Sequence, residues 1–197
     1  MKIIVALAIC CFSISLFAQQ EPARRNRDFP IVVMLQFHSF SLPFRDLKSN
    51  FSNIGLGLGT EISYNNKQNW VQQVSMAWYR NKVMGNGLLL YTQAAWRPAI
   101  ASDFFAEVKV GAGYLISCRP VESFKQLNGQ WTSVGHRGKA LFNLPVGISV
   151  GYNSEISATP VSPALTNQLL IVRNYNKSIP MVPETLVQAG VRIYPNY

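Results

Sequence analysis

The amino-acid sequence predicts an all-β protein, an eight-stranded antiparallel transmembrane β-barrel. Three observations lead to this fold class. Bulky apolar residues alternate with small or polar ones along most of the chain, and charged residues make up only 14% of its 197 positions. After the N-terminus, no apolar run reaches the roughly 20 residues that a membrane-spanning helix needs. Because successive side chains of a strand point to opposite faces, such alternation indicates strands with two different faces.

The N-terminus has the pattern of a secretory signal peptide. A lysine precedes an apolar run at residues 3–17, and Ala18 supplies the small residue of a cleavage site. We therefore predict a signal peptide over residues 1–18, a periplasmic N-terminal segment over residues 19–29 and the barrel over residues 30–197.

The cysteines indicate that disulfides do not hold this fold. Removal of the signal peptide also removes Cys10 and Cys11, which leaves Cys118 as the single cysteine of the exported chain. Cys118 is therefore expected to be an inert small residue rather than a redox centre. A lipid anchor on Cys10 is the alternative, but Ile9 stands where lipoprotein signals place a small residue.

Eight segments have the length of a tilted membrane strand. In chain order they are residues 30–41, 52–65, 69–81, 86–98, 104–117, 139–153, 164–175 and 185–197. In the second, NIGLGLGTEISYNN from residue 53, leucines share one face and glycines the other. Most of the remaining segments keep glycine and charge opposite the bulky residues. The first does so less strictly, and the seventh, ALTNQLLIVRNY, does not show which face is which.

The bulky face is predicted to lie against lipid. A soluble lipocalin-like barrel is the alternative, but it would bury its apolar face and show many Lys and Glu to water. Here the polar face carries glycine, serine, glutamine and few charges, which suits a narrow lumen. The GLGLG stretch has the glycines of a nucleotide loop, but they alternate along a strand and no helix follows.

Aromatic residues support a girdle at one membrane interface. If the N-terminus is periplasmic, the connections 66–68, 99–103 and 154–163 are periplasmic turns. Six aromatic residues of the proposed lipid face lie at the ends of these turns or at the same level, as interfacial aromatics do. They are Tyr64, Trp70, Trp96, Phe104, Tyr152 and Tyr197.

The outer loops are predicted to be basic. Their basic residues are Arg45, Lys48, Arg80, Lys82, Arg119, Lys125, Arg137, Lys139, Arg173 and Lys177, and their acidic residues are Asp46, Glu122 and Glu184. Nucleic acid is not expected as a partner, because the charges are spread over four loops without a binding motif. Lipopolysaccharide phosphate is the expected counter-charge. The longest connection, 118–138, offers Phe124 and Trp131 as a candidate binding surface.

Charged residues also fall on the lumen face, in the periplasmic halves of their strands. They are Glu61, Arg97, Glu107, Lys109 and Arg192. Across a narrow interior they could meet as an interlocked network that plugs the barrel. Separate, hydrated charges are the alternative.

These features resemble the small eight-stranded outer-membrane barrels of the OmpX, OmpA-transmembrane and PagL type. The resemblance rests on the signal ending FAQQ, the alternating strands and the final strand LVQAGVRIYPNY. That strand is similar to the C-terminal signal read by the outer-membrane insertion machinery, although Pro195 departs from the aromatic usual at its position. The resemblance implies an outer-membrane location and names no activity. We expect a monomer.

The expected function is a non-enzymatic surface, structural or binding role, with a plugged or narrow polar lumen and no cofactor. A small porin-like conduit is one alternative. The other is a lipid A-modifying hydrolase, since deacylases of this barrel type are similar in placing His and Ser near the outer leaflet, as His38 and Ser39 are placed here. However, these two residues alternate in face and their own strand offers no acid. His136 and Cys118 do not by themselves indicate a metal site.

Overall fold

The chain forms a closed barrel of eight strands and a separate two-stranded hairpin. The computed structural model describes residues 29–39, 51, 53–65, 67–81, 85–118, 122, 124–127, 129–133, 135, 138–154, 160–174 and 180–195. The predicted signal peptide and residues 19–28 of the predicted periplasmic segment lie outside the described residues. The strands are β1 Ile31–Ser39, β2 Ile54–Ser63, β3 Trp70–Tyr79, β4 Asn86–Trp96, β5 Phe104–Cys118, β6 Phe124–Leu127, β7 Gln130–Ser133, β8 Lys139–Tyr152, β9 Val161–Arg173 and β10 Met181–Ile193.

All neighbouring barrel strands are antiparallel, in the order β1-β10-β9-β8-β5-β4-β3-β2. Pairing of β1 with β10, from Ile31 opposite Ile193 to Ser39 opposite Thr185, closes the sheet. Closure leaves no free edge on the barrel sheet of the described residues, which is what a sheet needs in lipid. The predicted fold class is confirmed. We call the rim where β1 begins and β10 ends the terminal end, and the opposite rim the loop end.

Two strands begin earlier than the sequence pattern predicts. β9 begins at Val161 rather than at residue 164, and β10 at Met181 rather than at residue 185. Each early stretch contains a proline, Pro163 or Pro183, which cannot donate to a ladder. Pro163 lies just beyond the last β8–β9 pair, and Pro183 lies beyond the last β1–β10 pair. The prolines are tolerated because each lies where the ladder with one neighbouring strand has no pair.

The predicted long connection 118–138 contains a hairpin that the pattern of eight strands does not include. β6 and β7 pair from Phe124 opposite Ser133 to Leu127 opposite Gln130. Gly129, in the turn between them, has φ of +79°. A left-handed conformation of this kind favours glycine, and Asn-Gly is a strong hairpin signal in a sequence.

Alternation of the side chains follows the predicted faces. Outward residues such as Leu56, Val110 and Ile148 are 62%, 58% and 57% exposed. The seventh barrel strand, β9, turns Thr166 and Gln168 inward and Leu165 outward. None of the described residues belongs to a helix long and apolar enough to span a membrane.

Candidate functional site

The barrel interior near the terminal end holds the five predicted lumen charges, and the structure brings all five together. Arg192 bridges both carboxylates, with Nε 2.5 Å from Glu61 Oε1 and Nη2 2.5 Å from Glu107 Oε1. Arg97 does the same, 2.6 Å from Glu61 and 2.5 Å from Glu107. Lys109 Nζ lies 3.0 Å from the second oxygen of Glu107. We call this group the charge network.

Neighbouring strands hold the charge network in place. Gln73, directly opposite Glu61 in the β2–β3 ladder, donates to that carboxylate at 2.9 Å. The guanidinium groups of Arg97 and Arg192 lie 5.3 Å and 5.2 Å from the ring centre of Phe105, at cation–π distance. Phe105 fits because Gly151 is opposite it, where a methyl group would approach the ring to 2.2 Å.

Amide and hydroxyl groups fill the interior beside the charge network. Gln188 Nε2 donates to Gln36 Oε1 at 3.2 Å and to the Tyr91 hydroxyl at 3.3 Å. Ser149 and Thr166, on adjacent strands, share a hydrogen bond of 2.7 Å. These contacts join β1, β4 and β10 across the lumen and satisfy polar groups that burial would otherwise penalise.

The interior near the loop end is largely apolar, whereas the sequence led us to expect a plugged or narrow polar lumen. Its buried cluster consists of Ala77, Tyr79, Leu89, Tyr91, Leu115, Leu141, Leu170, Val172 and Leu186. Leucines on the inward face of β4, β5, β8, β9 and β10 meet there. The sequence pattern concealed this layer because in LLLY of β4 and LLIV of β9 both faces are apolar.

His38 lies in this half as a lumen residue, and its acidic partner comes from another strand. His38 Nε2 is 3.0 Å from Glu184 Oε2, and the ring stacks on Tyr79 with centres 3.9 Å apart. Asn81 Nδ2 is 3.2 Å from His38 Nδ1, and the Tyr79 hydroxyl donates to Glu184 at 3.3 Å. The assignment of Glu184 to the outer loops is wrong, because β10 begins before it and turns it inward.

Two glycines make room for the Tyr79 ring. In the ladders Gly55 and Gly87 lie opposite Tyr79 on either side. A methyl group on Gly87 would lie 2.3 Å from the ring, and one on Gly55 would lie 2.8 Å from Tyr79 Cβ. The glycine face of the β2 stretch therefore accommodates a neighbouring aromatic side chain.

Five of the six predicted girdle residues are described, and all five lie at the terminal end. Trp70 and Trp96 are opposite each other, with ring centres 6.4 Å apart, and Phe104 faces Tyr152 at 5.0 Å. Tyr64 is 61% exposed. The sixth predicted residue, Tyr197, lies outside the described residues.

The loop end is described only in part. Of the ten predicted basic residues there, Arg80, Lys139 and Arg173 have described side chains, and all three are exposed. Lys139 Nζ donates to the Asn174 carbonyl at 2.5 Å, which links the start of β8 to the end of β9. The side chains outside the described part are those of Arg45, Lys48, Lys82, Arg119, Lys125, Arg137 and Lys177.

The hairpin presents two aromatic side chains to water. Phe124 is 59% exposed and Trp131 is 70% exposed. Since cross-strand partners share a face, the pairs Phe124–Ser133 and Gln126–Trp131 place both aromatics on the same side of the hairpin. Cys118 is exposed nearby at the end of β5. His136 lies outside the described residues.

Several solved structures have the same architecture as this chain. Neisserial surface protein A (NspA) superposes with a TM-score of 0.56 at 12% identity, over 85% of this chain and 97% of that one. The chain has the fold of a small outer-membrane β-barrel. Ail, the attachment invasion locus protein of Yersinia pestis, superposes with a lower TM-score of 0.48 at 14% identity, over 84% of this chain and 97% of that one. A de novo designed transmembrane barrel superposes with a TM-score of 0.42 at 11% identity, over 89% of this chain and 97% of that one. No protein-family model and no curated protein matches the sequence.

Proposed function

We propose that this chain is a non-enzymatic outer-membrane barrel with a closed interior, whose loop end is its working surface. Burial of the interior is the observation that carries the proposal. Glu107, Gln168 and Leu186, from different heights of the lumen, are 1%, 0% and 0% exposed. A water-filled channel would leave its lining hydrated, so burial of this extent supports a barrel that does not conduct.

The orientation in the membrane follows from the aromatic girdle and the connections. The girdle residues and the short turns lie at the terminal end, which we assign to the periplasm. The loop end, with the long connections and the hairpin, then faces outward. This matches the general plan of outer-membrane barrels, in which periplasmic turns are short and outer loops are long.

Exposed basic residues at the loop end suit contact with lipopolysaccharide phosphates. Arg80 directly follows β3, Lys139 begins β8 and Arg173 ends β9, so the three are spread around that rim. Their attraction to phosphate is screened by salt, because the groups are exposed. Reversal of Lys139 and Arg173 to Glu is expected to weaken binding to purified lipopolysaccharide most at low salt. Reversal of Lys67, an exposed lysine at the terminal end, is the matched control.

The hairpin is the best candidate for contact with another protein or surface. Two large aromatic side chains on one face of a short exposed ribbon are unusual on a monomer surface and common in interfaces. Substitution of Phe124 and Trp131 by Ser would remove this face without touching the barrel ladder.

The geometry around His38 argues against the hydrolase alternative. One ring nitrogen contacts Glu184 and the other contacts Asn81. A general base needs a nitrogen within reach of a nucleophile. His38 is also only 1% exposed, so a lipid substrate has no access to it. We interpret the His38–Glu184 pair as structural.

Thiol labelling on intact cells tests the orientation. Cys118 is exposed at the loop end, so a membrane-impermeant maleimide should label the native chain on whole cells. In a Cys118→Ser background, Ser102→Cys at the exposed terminal turn should be labelled only after the outer membrane is opened. The reverse pattern would show that the terminal end faces outward.

Proteoliposome swelling tests the closed interior. Liposomes containing the refolded chain should swell in a small sugar no faster than protein-free liposomes. Swelling at the rate of a general porin would instead favour the conduit alternative.

A further inference from the structure

A small cavity lies inside the barrel against the charge network. Its volume is about 30 Å³, and its walls include Gln93, Lys109 and Arg192. Since one water needs roughly 10–15 Å³ of such space, the cavity has room for about two water-sized particles. It is distinct from the larger recess at the terminal rim.

Hydrogen-bond donors around this cavity lack partners. Arg192 Nη1 and Gln93 Nε2 are buried and have no hydrogen-bond partner among the described residues. Lys109 has three protons on its ammonium group, and in the described part of the chain its contacts are Glu107 at 3.0 Å and Thr166 at 3.4 Å. Unpartnered buried donors are costly, and all three residues line the same space.

The charge network that borders the cavity is unbalanced, although its Arg97 lines the rim recess rather than the cavity. Three cations, Arg97, Lys109 and Arg192, face two carboxylates, Glu61 and Glu107, which leaves one positive charge in excess. Asp103 is exposed in the rim recess, where water screens it. Glu184 lies eight residues before Arg192 in β10, on the order of 26 Å away along the strand. A buried excess charge without a counter-ion is expensive.

We propose that this cavity binds one small monovalent anion of the halide class, such as chloride. The anion accepts hydrogen bonds from the free donors and neutralises the excess positive charge. A water molecule would accept those hydrogen bonds but would leave the charge uncompensated. Glu61 also lines the cavity, but its oxygens are already bonded by Arg192, Gln73 and Arg97. The proposal goes beyond the closed barrel, because a barrel with any role at its loop end could hold this ion.

Crystals grown in bromide give the direct test on the unaltered chain. Bromide scatters anomalously, so a peak is expected between the side chains of Arg192, Lys109 and Gln93. Ordinary water density at that point without an anomalous peak would overturn the proposal.

Stability in matched salts gives the second test. Refolded chain is unfolded with urea in potassium bromide or potassium gluconate of equal ionic strength. Each tenfold rise in free bromide above its dissociation constant should add about 1.4 kcal/mol to the free energy of unfolding. Gluconate, which is too large for the cavity, should have no such effect.

Three variants separate a specific site from a general salt effect. Lys109→Gln removes the excess charge and should abolish the dependence on bromide. Gln93→Leu removes a donor without changing any charge and should weaken bromide binding several-fold. Lys67→Gln removes an exposed charge at the terminal rim and should respond as the native chain does. An equal bromide response in all four proteins would contradict the site.

Discussion

The two halves of the barrel interior are filled by opposite kinds of chemistry. Near the terminal end, five charged side chains form one connected set of ion pairs. Near the loop end, leucines and tyrosines pack together around the His38–Glu184 pair. A charge network is strong only when complete, whereas an apolar layer loses stability roughly in proportion to the volume removed. Substitutions in the two halves should therefore lower the free energy of unfolding in different ways.

The halves share one construction. In each, an aromatic ring lies across a glycine of the neighbouring strand: Phe105 over Gly151 at the terminal end and Tyr79 over Gly87 at the loop end. Each ring then positions the polar groups of its half, the arginines above Phe105 and the His38–Glu184 pair beside Tyr79. Aromatic–glycine pairs thus allow a narrow barrel to hold large side chains.

The largest effect is expected in the charged half. Glu107→Gln leaves Arg97, Lys109 and Arg192 against the single carboxylate of Glu61, and should cost about 3–5 kcal/mol because the loss exposes uncompensated buried charge. Urea unfolding of the refolded chain in detergent measures this. Glu122→Gln, an exposed carboxylate near the hairpin, should change stability by less than about 0.5 kcal/mol. Equal effects of the two substitutions would mean that the network contributes nothing.

A smaller and graded loss is expected in the apolar half. Leu89 is 0% exposed inside the barrel, and its neighbour Leu90 is 43% exposed on the outer face. Leu89→Ala should cost about 2–5 kcal/mol, because it loses transfer free energy and leaves a cavity. Leu90→Ala should cost less, since lipid or detergent fills the space outside. Comparison of their unfolding free energies isolates the cavity contribution, and a larger loss for Leu90→Ala would reverse our assignment of faces.

The His38–Glu184 pair is a polar contact within the apolar half, and its two side chains should be energetically coupled. His38→Phe keeps an aromatic ring beside Tyr79 but removes a hydrogen bond to a buried carboxylate, at a cost of about 1–3 kcal/mol. Glu184→Gln in the same background should recover part of that loss, because an amide is less costly to bury. A double-mutant cycle measures the coupling. Strictly additive losses would show that the two side chains are independent.

The smallest effect is expected at Asn143. This side chain is 0% exposed, and neither of its amide atoms has a hydrogen-bond partner in the described part of the chain. Asn143→Leu should leave the free energy of unfolding unchanged or raise it by up to about 1 kcal/mol, because it removes an unsatisfied polar group of similar size. A loss above 1 kcal/mol would indicate a partner, such as an ordered water.

The barrel and its faces could be predicted from the sequence because alternation is a local property. Leu56 and Gly57 show their faces without reference to any other strand. Pairing across the lumen is not local: Glu184 meets His38 although 146 positions separate them. The predicted start of β10 at residue 185 hid this contact, since Pro183 weakens the strand pattern before it.

The charged half was easier to predict than the apolar half. Charged residues on a strand face otherwise filled with glycine and serine stand out, and their heights follow from the turns. Inward leucines such as Leu89 and Leu170 do not stand out, because their outward neighbours are apolar as well. Asn-Gly at residues 128–129 indicates a hairpin turn. The hairpin was not predicted because the long connection around it was interpreted as a loop.

Single-channel conductance in a planar bilayer tests most directly the claim that each half closes the interior by itself. Three folded proteins suffice: the native chain, Glu61→Gln/Glu107→Gln, and that double variant combined with Leu89→Ser/Leu115→Ser. Our account predicts no steady conductance for the first two and steady conductance for the third, in which neither half is intact. Steady conductance through the native chain, or through the variant that alters only the charged half, would contradict it.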